Sequence, residues 1–485
     1  MAHEIELKLE LTPIAADALE HGGVLAGAPG IARQRSLYFD TPDHDLAAAG
    51  LSLRIRTVGR KRVQTVKADG GSSAGLFARP EWEFRAKDDQ PVLDERTPIR
   101  ALLGDKADAI VPLFEVMIER RTWIVEADGA TIEAVLDRGE AVAGERRTPI
   151  CEVELEHKHG PQAALFDLAR RIDAVAPVRL GALSKSERGY RLLGPAEAAV
   201  KAGRIALRDD ISAAEGFGQI AHGCLRQFRL NEALLLDHRD PRALHQARVA
   251  LRRLRSAITI HKAMLGDVRV DRLRADLRWL AGEMADARNI DVLIGRVRDK
   301  GLRARMEKAR DEAYGAAEAA LASDRARGLM LDLAEWIAVG DWLKLPLSKD
   351  LRDRPVREFA TQSLDRFRRK VKKSGRDLAG LDDEARHEVR KAAKKLRYAA
   401  DFFAALYDRK REKRRHKRFI DALEDLQDRL GALNDLAVAP ELLGRLGLLH
   451  EPGAARLLAG KSKAKLLDGA CDAHESLIDA KPFWR

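Results

Sequence analysis

The sequence predicts an α+β chain of two dissimilar domains, strand-rich over residues 1–200 and all-α over residues 206–485. Three observations carry this. Apolar residues alternate with charged ones through the first two hundred positions, then recur at threes and fours from about Ile211 onward, the spacings that separate strands from amphipathic helices. The charge balance changes at the same place: residues 1–200 hold 27 Lys and Arg against 32 Asp and Glu, whereas residues 201–485 hold 60 against 44. Finally, 485 residues are too many for one core, so two domains are the starting expectation. Gly194-Pro195 and the residues up to Gly203 form the expected connector, with turn formers where the periodicity changes.

In the first half, short alternating segments end at turn signals such as Thr41-Pro42-Asp43, Asp69-Gly70-Gly71 and Asp128-Gly129, as strands do. Glu4, Glu6 and Lys8 share one face of the first segment. Arg54 and Arg56 bracket Ile55; Glu81, Glu83 and Arg85 bracket Trp82 and Phe84; Glu152, Glu154 and Glu156 bracket Val153 and Leu155. Taken singly, each is a half-buried strand with a solvated face. Taken together, they also suit a closed antiparallel barrel with its charges turned inward and its apolar faces covered by helices, one of them near Pro161 to Val175. Such an interior has a chemical use. Carboxylates at i and i+2 hold hard divalent cations such as Mg²⁺ or Mn²⁺, and Lys and Arg neutralise phosphate oxygens, the two requirements of triphosphate hydrolysis.

The second half contains an internal repeat. His245-Gln-Ala-Arg248-Val-Ala-Leu-Arg252-Arg253-Leu254-Arg255 matches His387-Glu-Val-Arg390-Lys-Ala-Ala-Lys394-Lys395-Leu396-Arg397 at an offset of 142 residues, as duplication of a helical unit produces. A weaker pair follows, Met284–Val292 against Leu430–Val438. In a helix the positions i, i+3, i+7 and i+10 fall within an arc of roughly 80°. His245, Arg248, Arg252 and Arg255 therefore form one stripe, and His387, Arg390, Lys394 and Arg397 its copy. A single charged stripe is usually a solvated face, but repetition with the His in register favours a ligand site. More cations follow at Arg366–Lys373, and eight of the ten residues Arg409–Arg418 are Lys or Arg. Nucleic acid is disfavoured, because the stripes lack interleaved aromatic residues and no zinc-finger, RNP or P-loop motif is present.

The ordered set Glu4-x-Glu6-x-Lys8, Tyr38-Phe39-Asp40-Thr41, Leu53-Arg54-Ile55-Arg56, Thr65-Val66-Lys67, Arg120, Leu136-Asp137-Arg138, Cys151-Glu152-Val153-Glu154-Leu155-Glu156 and Ser184-Lys185-Ser186 resembles the CYTH superfamily, the triphosphate tunnel metalloenzymes. The resemblance implies an eight-stranded antiparallel β tunnel over residues 1–200 with triphosphate inside. It implies metal ligation by Glu4, Glu6, Glu152 and Glu154 with Asp137 or Glu156 nearby, and phosphate binding by Lys8, Arg54, Arg56, Lys67, Arg85, Arg120 and Lys185. Arg120 is preferred to Arg121 because Trp123 and Val125 put Arg121 on the apolar parity. Glu4, Glu6 and Lys8 are the expected catalytic residues, Lys8 either as a phosphate clamp or as a proton acceptor whose pKa neighbouring cations lower. No Ser, Cys or His takes a nucleophile's place, so one-step attack by a water activated at the metal is expected.

Residues 206–485 resemble the CHAD family, which implies two related helical bundles around a basic groove for inorganic polyphosphate. Arg288-Asn289 departs from that family's Arg-Asp. Together the resemblances imply an inorganic triphosphatase releasing orthophosphate from tripolyphosphate, its helical domain bound to long-chain polyphosphate. The rivals are thiamine triphosphatase, adenylate cyclase, and a non-catalytic scaffold that targets polyphosphate granules. Cys151, Cys224 and Cys471 have no metal-ligand spacing and read as reduced thiols. No apolar run nears the roughly 18 residues a membrane span requires, and Met1–Glu10 has no signal core; a cytoplasmic protein is expected.

Overall fold

The structure, a computed structural model, describes residues 4–68, 76–79, 81–196, 199–459 and 462–485, and for Glu4, residues 76–79 and Ala437 the backbone alone. The expected turn at Asp69-Gly70-Gly71 lies outside them. The chain divides into two compact units, Met1–Ala198 with Ser323–Val339, and Ala199–Ala322 with Gly340–Arg485.

The first unit is an antiparallel sheet of ten strands: β1 (Glu4–Leu11), β2 (Gly30–Asp40), β3 (Leu51–Val58), β4 (Lys61–Ala68), β5 (Leu76–Arg79), β6 (Glu81–Arg85), β7 (Val111–Ala127), β8 (Ala130–Ala143), β9 (Arg146–His159) and β10 (Val178–Leu180). Their order is β10-β1-β9-β8-β7-β2-β3-β4-β6, and β5 returns to pair with β1. Only one residue separates β5 from β6, and β5 pairs with Glu4–Leu7 of β1 while β6 pairs with β4, so this run closes a ring from β1 to β4. Counting β5 and β6 as one broken strand and setting aside β10, a three-residue strand beside the end of β1, the ring has the eight members expected, and closure leaves no long free edge among the described strands.

Alternation decides which side chains face in. On β3, Leu51, Leu53 and Ile55 point outward into a cluster with Phe39, Leu46, Val66, Ala86 and Ile99, which leaves Ser52, Arg54 and Arg56 inside. On β9, Val153 and Leu155 are fully buried toward the amphipathic helix Ala163–Val175, whose Ala164, Leu165, Phe166, Leu168, Ala169 and Ile172 are buried. That helix also carries Arg170, 2.8 Å from Asp332, and Asp173 lies near it, 2.7 Å from Arg327. Asp332 and Arg327 belong to the helix Asp324–Val339, which lies far along the chain yet is part of this unit.

The interior has two unlike ends. At one, the inward residues Tyr38, Phe114, Val116, Ile118, Ala141, Ala143 and Ile150 form an apolar cluster with Tyr190, Leu192 and Leu193 of the helix Lys185–Leu193. The helix approaches closely because Gly189 has no side chain: a Cβ there would lie 1.9 Å from the Phe114 ring. The other end is polar.

The second unit is helical, and the repeat is visible in its caps. Pro241–Ile260 and Asp383–Phe402 are both 20-residue helices, capped by the side chains of Asp240 and Asp382, and each is preceded by a long helix, Ala213–Asp237 and Val356–Ser374. The copies then diverge. The first breaks at Met284 between Val270–Glu283 and Ala285–Ile294, whereas the second runs on as Lys410–Arg445. His261 joins the copies within this unit, stacked on Phe359 at 4.7 Å between ring centroids and donating from Nδ1 to the Ala257 carbonyl at 2.8 Å.

Candidate active site

The polar end of the barrel holds a cavity of about 270 Å³ lined by Glu6, Lys8, Tyr38, Ser52, Arg54, Arg56, Thr65, Lys67, Glu81, Glu83, Arg120, Glu133, Glu154, Glu156, Ser184, Lys185 and Ser186. Its lining comes from the even-numbered positions of β1, β2, β3, β7 and β9 and the odd-numbered ones of β4, β6 and β8, the parity that the outward apolar residues leave free. A larger groove of about 890 Å³ includes the outward residues Arg33, Arg35, Met117 and Arg138. Those three arginines are ion-paired with Glu119, Glu115 and Glu20, so the groove has less unmet charge.

Beneath the cavity, cations and carboxylates are knotted together. Lys8 Nζ lies 2.6 Å from Glu154, 3.2 Å from Glu152 and 3.5 Å from Glu6. Lys185 Nζ lies 2.5 Å from Glu152, 2.7 Å from Asp137 and 2.8 Å from Glu154. Arg120 grips Asp137 with Nε at 2.8 Å and Nη2 at 2.6 Å, and reaches Glu154 at 2.9 Å. Local structure fixes these positions. Ser184 and Glu187 form a capping box that sets where the Lys185 helix begins, and Gly181 donates to the Lys8 carbonyl at 2.8 Å while leaving room for the Lys8 side chain, whose Cγ a Cβ would meet at 2.5 Å.

The electrostatics follow from burial. It disfavours the Lys8 ammonium, but Glu152, Glu154 and Glu6 outweigh it and hold Lys8 well above its ordinary pKa. Its close neighbours are carboxylates, so the cation-lowered proton acceptor weighed from sequence has no basis in this geometry. Burial also opposes the Glu154 charge, yet Lys185, Lys8 and Arg120 hold it well below the usual carboxylate range. Glu6 is raised, by burial and then by Glu154. Across the cavity Arg54 Nη1 donates to the Tyr38 hydroxyl at 3.4 Å. Arg56 is pushed down to about 10 by burial and by Arg54 and Arg120, and its buried Nε has no hydrogen-bond partner among the described residues.

The structure therefore gathers Glu6, Lys8, Arg54, Arg56, Lys67, Arg120, Glu154, Glu156 and Lys185 around one cavity, with Asp137 and Glu152 buried behind it. Asp137, Glu152 and Glu154 each offer an oxygen within 4.8 Å of the others. Arg121 turns outward to Glu20 at 2.6 Å, as parity requires. Arg85 does not join the site; it is exposed at the end of β6, beyond the lining. The Glu4 backbone pairs with Arg79, and its side chain lies outside the described residues. Sequence reasoning missed Tyr38, Glu133 and Arg188. Glu133 stands opposite Glu156 in the β8–β9 register, and Arg188, one helical turn after Lys185, lies 2.5 Å from Glu10 and 3.8 Å from Glu152.

In the helical unit the two stripes face each other. Lys394 is pushed down to about 7 by burial and by Arg252, Arg390 and Arg248, which come from both copies. The Nε atoms of Arg252, Arg390 and Arg397 are buried without hydrogen-bond partners among the described residues. His245 is pushed down to about 4 by burial, Arg288, Arg252 and Arg248, so it is neutral near pH 7. Arg255 is lowered by burial and by Arg278, Arg274 and Arg252, which adds two cations from the helix Val270–Glu283. At the two ends of the second stripe the polar groups are partly met. Arg397 pairs with Glu424 at 2.7 Å, and exposed His387 meets Asn434 at 2.9 Å.

Comparison with known proteins also divides the chain in two, except that the second match runs through residues 323–339, which the structure packs into the first unit. The CYTH domain family matches residues 2–190 and the CHAD domain family residues 219–444. An inorganic triphosphatase of Haemophilus influenzae is 31% identical over 209 residues, 40% of this chain and 55% of that protein; the chain thus spans about half the length of that relative. An uncharacterised Mycobacterium tuberculosis protein is 27% identical over 423 residues, 75% of each chain. The CHAD domain of the plant Ricinus communis superposes with a TM-score of 0.51 at 30% identity, covering 58% of this chain and 97% of that one.

Proposed function

Because the chain belongs to the CYTH family over residues 2–190 and to the CHAD family over residues 219–444, we propose that its barrel hydrolyses inorganic tripolyphosphate to diphosphate and phosphate. One observation carries this reading: half-buried arginines that repel one another and a set of carboxylates line the same cavity of about 270 Å³. Arg56, opposed by burial and by Arg54 and Arg120, is costly without an anion beside it. Among the described residues the lining holds no aliphatic side chain and one aromatic ring, Tyr38. A nucleoside or thiazolium group needs an apolar wall, so this lining favours an all-phosphate substrate over those of adenylate cyclase or thiamine triphosphatase.

The carboxylates suit a hard divalent cation, Mg²⁺ or Mn²⁺. Glu152 Oε2 is fully buried with no hydrogen-bond partner among the described residues, an acceptor left over for such an ion. Asp137, Glu152 and Glu154 would hold it, with Glu156 of β9 and Glu6 of the adjacent β1 nearby. When bound, the ion polarises a phosphoryl oxygen and favours attack by water. The chain does the rest. Arg54, Arg56 and Lys67 hold one flank of the phosphate chain, Arg120 and Lys185 neutralise charge at the transferring and leaving groups, and Lys8 acts as a cation clamp.

The converging stripes support a second function for the helical unit, binding long-chain inorganic polyphosphate, with Arg248, Arg252, Arg390 and Lys394 at the centre of the groove and His245, Arg255, His387 and Arg397 at its margins. Targeting to polyphosphate granules would follow. No helix among the described residues is long and apolar enough to cross a membrane. The experiment that tests the barrel is phosphate release from tripolyphosphate, ATP and thiamine triphosphate side by side, with and without metal. Preference for either organic substrate, or hydrolysis undiminished by chelation, would refute the reading. For the groove, polyphosphate affinity should fall steeply with salt and collapse when the four central residues become Ala.

A further inference from the structure

We propose that Lys185 is a latch that makes the metal ion and the triphosphate bind with positive coupling, each raising the affinity for the other. This rests on the reading of the barrel given above and adds how its two ligands depend on one another.

The argument starts from compensation. Lys185, Lys8 and Arg120 are already neutralised by Asp137, Glu152 and Glu154, the carboxylates best placed for a divalent cation. The cations wanted by phosphate and the carboxylates wanted by metal thus satisfy each other while no ligand is bound. A divalent ion entering alone would meet a buried ammonium at its own ligands. A triphosphate entering alone would draw Lys185 away and leave buried carboxylates uncompensated. Uncompensated buried charge is strongly disfavoured, so each ligand alone binds against a cost that the other removes. With both present, phosphate oxygens take the ammonium and the ion takes the carboxylates.

Lys185 is the natural moving part. It touches all three carboxylates and also lines the cavity between Ser184 and Ser186. The capping box holds its backbone at the start of the helix, so exchange requires only rotation of a long side chain. Linkage then makes the coupling reciprocal.

The test uses the full chain with Arg248, Arg252, Arg390 and Lys394 replaced by Ala, so that tripolyphosphate has one site. Calorimetry measures Mn²⁺ alone, and tripolyphosphate alone in the presence of a chelator. Lys185→Met should bind Mn²⁺ about tenfold more tightly and tripolyphosphate about tenfold more weakly than its parent. Glu154→Gln should show the mirror image, weaker Mn²⁺ and tighter metal-free tripolyphosphate. Arg56→Met should weaken tripolyphosphate and leave Mn²⁺ unchanged. Unchanged or weaker Mn²⁺ binding by Lys185→Met overturns the latch. Should that variant not fold, Glu154→Gln decides alone, and failure to tighten on tripolyphosphate overturns the latch equally. If neither Arg56→Met nor Lys185→Met alters tripolyphosphate binding, the reading of the barrel itself is wrong.

Discussion

Glu6 is held at the rim of a crowded site by neighbours of both signs, with Lys8 at 3.5 Å and burial and Glu154 opposing its charge. Changing it to Gln keeps its shape and removes its charge. Glu6→Gln should cut tripolyphosphate hydrolysis by about a hundredfold or more, with a melting temperature within a few degrees of wild type; activity near wild type at saturating Mg²⁺ would take Glu6 out of the site. Lys394 gives a prediction of a different kind. In the free groove its pKa is about 7, and a bound polyanion favours its ammonium form, so binding above pH 7 takes up a proton. Polyphosphate affinity should therefore fall as pH rises from about 7 to 9, by up to about tenfold per unit for one linked proton. Lys394→Arg, which stays charged, should flatten that slope.

Among the elements, the helix Lys185–Leu193 matters most, since it closes the apolar end of the barrel and delivers Lys185 to the polar one. Gly189→Ala would drive a methyl into the Phe114 ring, and overpacking of this kind costs about 1–3 kcal/mol. Thermal unfolding should report that loss, and hydrolysis should drop further than stability does because Lys185 shifts with the helix; an unshifted melt would mean the ring yields freely. Much of the barrel was legible beforehand. Period-two alternation gave the inward faces and separated Arg120 from Arg121. What alternation lacks is register. Glu133 enters the site because β8 places it beside Glu156, and Tyr38 because β2 places it beside Arg54. Arg85 obeys the parity rule but sits where its strand runs out. In the helical unit the repeat located both stripes, yet spacing within one helix cannot say that two stripes converge, nor that Arg274 and Arg278 of a third helix join them.

At the scale of the whole molecule, the first unit is assembled from two distant stretches of chain. A fragment ending at residue 205 lacks the helix Asp324–Val339, with it the partners of Arg170 and Asp173 and the cover supplied by a helix rich in buried Leu, Met and Trp side chains. Such a fragment should melt several degrees below the same unit in the full chain, read out by hydrogen exchange in the Ala163–Val175 helix; equal protection would show that the late helix adds nothing. The packed apolar end of the barrel carries a last consequence. With that end filled among the described residues, the chamber admits a chain by its tip at the polar end and returns its products by the way they came. On the proposed chemistry, long polyphosphate could not be threaded through and cut along its length. Shortening would proceed from the terminus, one phosphate at a time, and the remnant, which for tripolyphosphate is diphosphate, would have to withdraw before the next arrival.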